Sequence, residues 1–107
     1  MSKSRFVRVA DTRAIPENGN KVVVLGGTEV AIFHHEGRFY ALANLCPHRQ
    51  APLSAGEVAR GIVTCPWHGA RFELATGKGL PGPHRCNQQA FPVRIQGTEI
   101  HLELRHG

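Results

Sequence analysis

Two short pairs of metal-ligating residues, Cys46-Pro47-His48 and Cys65-Pro66-Trp67-His68, stand with sixteen residues between them in a chain of 107. Each pair offers one thiolate and one imidazole. Thiolate sulfur is a soft donor that suits zinc and iron-sulfur clusters, and neutral imidazole suits iron, zinc and copper. Two arrangements of Cys46, His48, Cys65 and His68 are therefore open. Zinc would take all four in a tetrahedron, whereas a two-iron, two-sulfide cluster can place both cysteines on one iron and both histidines on the other. Zinc sites usually repeat like with like, a cysteine pair followed by a histidine pair. Here each pair is mixed, so each loop can hand one sulfur and one nitrogen to adjacent irons, which favours the cluster. Such a constraint makes the rest of the chain a scaffold that must bring two loops side by side.

The residues between and around the pairs supply that scaffold in strands. Arg5 to Val9 alternates, Lys21 to Leu25 is a β-branched run, Glu29 to His34 carries Val30, Ile32 and Phe33, and Arg38 to Leu42 follows Glu36-Gly37. Ile62 to Thr64, Phe91 to Ile95 and Glu99 to Leu104 continue the pattern, so an all-β, antiparallel fold is expected. Gly26-Gly27, Glu36-Gly37, Thr76-Gly77 and Gln96-Gly97 read as turns. Helix signals are weak. Asp11 to Asn18 allows one short turn capped by Asp11, limited by Pro16 and Gly19. Both ligand pairs then fall on loops, the first after Arg38 to Leu42 and the second after Ile62 to Thr64. Pro47 and Pro66 stiffen those loops. Gly69 and Gly77 are expected to turn the backbone tightly and to expose amide N-H groups to cluster sulfur.

Composition bounds what such a chain does. At 107 residues it is read as a single domain over 1–107, with 41% hydrophobic residues for a modest core. No stretch approaches the roughly 20 apolar residues of a membrane helix, and the basic, alternating N-terminus lacks the apolar core of a signal peptide. A cytoplasmic protein without membrane contact is expected. Three cysteines do not make a disulfide scaffold, and Cys86 is read as a small buried hydrophobe rather than a ligand. The net charge of +5, from 13 basic and 8 acidic residues, comes without a basic run or aromatic platform, so no nucleic-acid partner is expected. No Ser-His-Asp arrangement, phosphate loop or spaced carboxylate pair is present, and His34, His35, His84, His101 and His106 lack metal spacing. Catalysis by the chain alone is not expected.

The motifs Cys46-Pro47-His48 and Cys65-Pro66-Trp67-His68-Gly69 resemble the Cys-x-His and Cys-x-x-His-Gly ligand motifs of Rieske [2Fe-2S] proteins. The resemblance implies a Rieske-fold antiparallel β-sandwich with a cluster-binding subdomain of two ligand loops and a proline-bearing cap loop, for which Gly79-Leu80-Pro81-Gly82-Pro83 stands at about the right place. It implies one [2Fe-2S] cluster per chain, with Cys46 and Cys65 on the buried iron and His48 and His68 on the iron nearest solvent. High-potential members carry an extra cysteine in each ligand loop, and a serine and a tyrosine hydroxyl beside the cluster. Those places hold Ala51, Trp67, Ala70 and Phe72 here, which implies a low-potential cluster.

What remains is similar to the soluble Rieske ferredoxins, which carry single electrons from a flavin-dependent ferredoxin reductase to a terminal Rieske non-haem iron oxygenase. Docking of those partners is expected at the histidine-ligand tip, around Arg49, Gln50, Pro52, Leu53, Trp67, Arg71 and Leu80 to His84. Arg49, Arg71, Lys78 and Arg85 would form a basic collar facing an acidic partner. Two alternatives stand beside this reading: the small subunit of an assimilatory nitrite reductase, and a structural zinc protein.

Overall fold

The computed structural model describes residues 3–45, 52–66, 69–82 and 87–106, and these described residues form ten strands and two single turns of 3-10 helix. Strand β1 spans Lys3–Asp11, β2 Asn20–Leu25, β3 Thr28–His35, β4 Arg38–Ala43 and β5 Glu57–Ala59. Strand β6 spans Ile62–Thr64, β7 Arg71–Glu73, β8 Ala90–Phe91, β9 Val93–Gln96 and β10 Glu99–His106. All pairings between them are antiparallel. They make three sheets, in the orders β1-β10-β9, β2-β3-β4-β8 and β5-β6-β7. No helix among the described residues is long and apolar enough to cross a membrane.

The hydrophobic run Val30-Ala31-Ile32-Phe33 explains the layering. All four residues are buried, although neighbours on a strand face opposite ways. Val30 and Ile32 pack with Ile100, Leu102, Ala41 and Leu25, while Ala31 and Phe33 pack with Leu42, Leu53, Val63, Cys65 and Phe72. The β2-β3-β4-β8 sheet is thus a middle layer with a core on each face. One core joins it to the β1-β10-β9 sheet; the other joins it to β5-β6-β7, the layer that carries Cys65. A strand buried on both faces needs no polar alternation, which is why β3 reads as a continuous apolar run.

Turns follow the glycine signals. Gly26-Gly27 and Glu36-Gly37 close the β2-β3 and β3-β4 hairpins with positive φ at every position. The turn after β9 lies at Gly97-Thr98, with Gln96 still in the strand. Asp11 caps the first 3-10 turn, its Oδ1 accepting the Arg13 N-H at 2.8 Å. The single strand expected over Phe91 to Ile95 is divided at Pro92, because proline cannot donate a ladder hydrogen bond. Ala90–Phe91 pairs with β4, and Val93–Gln96 crosses to β10.

Candidate metal centre

The base of the first ligand loop is built by Asn44. Its backbone N-H donates to the Glu29 carbonyl at 2.8 Å and its Nδ2 to Glu29 Oε1 at 3.0 Å, which fixes the residue at the end of β4. Its carbonyl accepts the Leu53 N-H at 2.7 Å and its Oδ1 accepts the Ser54 N-H at 2.9 Å. Leu45 and Pro52 form an antiparallel bridge one step further on. The chain therefore leaves and returns at one pinned neck around residues 46–51. Asn44 itself is 3% exposed, and a buried polar residue that loses its partners costs more than an exposed one.

The second loop has a tighter closure. β6 delivers Cys65, whose N-H donates to the Ala70 carbonyl at 2.7 Å, and the Gly69 N-H returns to the Cys65 carbonyl at 3.2 Å. Gly69 takes φ +74°, a conformation that L side chains rarely adopt. Cys65 itself is 1% exposed and free, packed in the core with Leu53, Val63, Ala70 and Phe72. It also borders a cavity of about 470 Å³ with Ala55, Gly56, Glu57, Thr64, Pro66 and Gly69. Gly56 is required there, since a Cβ would collide with the Thr64 carbonyl oxygen.

The proline-bearing segment is fastened to β7. Gly79 bridges Phe72, the Leu80 N-H donates to the Arg71 carbonyl at 2.9 Å, and the Glu73 N-H donates to the Lys78 carbonyl at 2.9 Å. Asn87 Oδ1 accepts the Gly79 N-H at 3.0 Å. Leu80 is half-buried, and Pro81 and Gly82 are exposed.

Of the four ligands expected from sequence, Cys65 is placed by the structure; Cys46, His48 and His68 lie outside the described residues. So do Arg49, Gln50, Ala51, Trp67, Pro83, His84, Arg85 and Cys86, and with them half of the basic collar and the reading of Cys86. Arg71 and Lys78 are exposed beside the proline-bearing segment. Ala70 and Phe72, the positions expected to lack a hydroxyl donor, are 7% and 0% exposed in the core around Cys65. The Gly69 N-H donates to the Cys65 carbonyl and the Gly77 N-H to the Glu73 carbonyl at 2.8 Å. Both residues are turn glycines whose N-H groups close their own turns.

Asn44 carries no ligand chemistry, and its only signal in the sequence is a polar residue at the end of an apolar strand. His34 and His35 turn out to be structural. His34 Nδ1 donates to the Ile15 carbonyl at 2.8 Å and its ring stacks on Phe39 at 4.1 Å, while His35 Nε2 accepts the Gly61 N-H at 3.0 Å.

A thiol buried at a cavity edge, at the closed neck of the second loop, suits a metal group that is sulfur-ligated on its buried side. The donor set fits a [2Fe-2S] cluster on the same grounds. The family model of the Rieske [2Fe-2S] domain matches residues 5–92. The naphthalene 1,2-dioxygenase ferredoxin component of Pseudomonas aeruginosa is 37% identical over 90 residues, covering 84% of this chain and 86% of that protein. The ferredoxin of carbazole 1,9a-dioxygenase from Nocardioides aromaticivorans superposes with a TM-score of 0.84 at 30% identity, over 91% of this chain and 95% of that one. The chain belongs to the Rieske [2Fe-2S] family. It carries one [2Fe-2S] cluster, in an antiparallel Rieske fold. A protein named as a nitrite reductase NADPH small subunit, 19% identical with a TM-score of 0.79 over 92% of this chain and 97% of that one, shares the fold alone.

Proposed function

We propose that this chain is a one-electron carrier that takes electrons from a flavin-dependent ferredoxin reductase and delivers them to a Rieske non-haem iron oxygenase of the aromatic-ring-hydroxylating type. The observation that carries this reading is that relatives matched over most of their own length are ferredoxin components of dioxygenase systems. The chain catalyses nothing alone. Cys46 and Cys65 would hold one iron of the cluster, and His48 and His68 the other. When bound, the cluster accepts and releases one electron at a time.

The residues of the chain set the conditions for that exchange. Leu53, Ala70 and Phe72 keep water from Cys65. Phe72 brings no hydroxyl to donate to sulfur, which supports a midpoint in the lower part of the roughly −150 to +300 mV Rieske range. Residues 1–107 act as one domain, a reading supported by the pairing of β1 with β10 from Lys3↔His106 to Asp11↔Glu99, interrupted by one irregularity between Arg8 and Ala10. We place the protein in the cytoplasm, because three cysteines, two of them assigned to metal, make no disulfide scaffold.

The test is spectroscopic, then biochemical. Dithionite-reduced protein should give the rhombic low-temperature EPR signal of a mixed nitrogen-sulfur cluster, and product should form only when reductase, this chain and oxygenase are combined. A colourless, zinc-containing protein would overturn the electron-transfer reading. Copurification with a large sirohaem subunit would turn it toward nitrite reduction.

A further inference from the structure

Three polar or charged residues are buried among the described residues: His35, Asn44 and Gln88. His35 ties two turns together and Asn44 closes the first loop. Gln88, 8% exposed, reaches across 43 residues of sequence: its Nε2 donates to the Leu45 carbonyl at 2.7 Å. Its Oε1 accepts the Gln89 N-H at 3.2 Å, which fixes which way the amide faces. Its own N-H donates to the Gly77 carbonyl at 2.7 Å, and the two backbones approach so closely that a Cβ on Gly77 would collide with the Gln88 carbonyl oxygen. Asn87, its neighbour, holds Gly79, and Gly79 bridges Phe72 beside Cys65.

Leu45 is the residue immediately before Cys46. The peptide group gripped by Gln88 is therefore the one that leads into the first proposed ligand. Because a peptide group is planar, a restraint on its carbonyl is also a restraint on the bond that continues the chain.

We propose that Gln88 is a positioning residue for the first ligand loop: its side-chain amide holds the Leu45 carbonyl at the root of that loop and fastens the base of the proline-bearing segment to it. This rests on the reading of the chain as a Rieske electron carrier with Cys46 as a ligand. A side chain that merely filled the core would contribute to stability and leave the cluster's electronic surroundings untouched. A positioning residue changes both.

The experiment compares wild-type holoprotein with Gln88→Met, which keeps length and volume but donates nothing, and Gln88→Asn, which keeps the amide but draws it back by one methylene. EPR g values of the reduced protein, the midpoint potential and the rate of iron release to excess chelator are measured, with far-ultraviolet circular dichroism as the check on fold. Both variants should fold, shift the g values and midpoint, and release iron roughly 10-fold faster, the lower end of the effect of outer-shell partners on metal affinity. If either variant folds and keeps wild-type g values, midpoint and release rate, the proposal is wrong. If neither folds, Gln88 serves the fold as a whole and the proposal is equally wrong. A wild-type protein without the Rieske signal would overturn the functional reading instead, so the two failures are distinct.

Discussion

Residues around Cys65 divide into those that bind and those that exclude. Cys65→Ser and His68→Ser should each lose or convert the cluster, read as loss of visible absorbance and of two irons per chain, whereas Cys86→Ser should leave both intact. Phe72 tests the exclusion side. Phe72→Tyr inserts a hydroxyl into a fully buried site, at a cost of roughly 1–3 kcal/mol if it finds no partner. Where it does reach sulfur, it should raise the midpoint, and a redox titration that shows no positive shift counts against Phe72 as a determinant of low potential. Asn44→Ala removes the bonds from Ser54 and to Glu29. About 2 kcal/mol of destabilisation is expected from two part-buried hydrogen bonds, with faster iron loss, measured by denaturant unfolding and chelator kinetics. The ligand residues were legible because cysteine and histidine spacing is a chemical signature. Asn44 and Gln88 were not, since an amide becomes a clamp only through partners 15 and 43 residues distant.

Among the elements, β2, β3, β4 and the three-residue β6 were legible, whereas β5 and β7 were not. Apolar runs and hairpin glycines locate β2, β3 and β4 within a residue or so at each end. Strands β5 and β7, Glu57-Val58-Ala59 and Arg71-Phe72-Glu73, are too short to show a period of two, and only pairing with β6 makes them strands. Yet these two flank β6, the strand that delivers Cys65. The turn between β5 and β6 was equally silent, although Arg60 and Gly61 both take positive φ there. Gly77 is an element-scale test. At φ +77° and against the Gln88 carbonyl, Gly77→Ala combines left-handed strain with a backbone collision, and a loss of several kcal/mol is expected. Differential scanning calorimetry should find Gly77→Ala far more damaging than Gly37→Ala, where a Cβ meets no atom.

Across the whole molecule, charge and pH give two further expectations. On the proposed function, the net charge of +5 would be matched by an acidic docking face on the partner. Stopped-flow rates of electron delivery to the oxygenase should therefore fall as ionic strength rises, and a flat salt profile would remove charge from the docking account. Acid sensitivity has a named contributor in Glu17, whose carboxylate accepts the Gly37 N-H at 3.1 Å and the Glu36 N-H at 2.6 Å across the β3-β4 turn. The bond from Gly37 is the foremost cause that holds the Glu17 carboxyl below its ordinary value. A lowered folded-state pKa stabilises above the ordinary glutamate value and is lost as pH falls through the folded one. The stability gap between wild type and Glu17→Gln should accordingly narrow as the pH is taken from 7 to about 3.

The three-layer order has a practical consequence. Residues near both ends of the described chain, Lys3 and His106, are paired in the β1-β10-β9 sheet, whereas Cys65 belongs to the core on the opposite face of the middle sheet. A tether attached at that paired edge would anchor the molecule from behind, so a film of the protein on an electrode fixed there would turn the layer that carries Cys65 toward the solution.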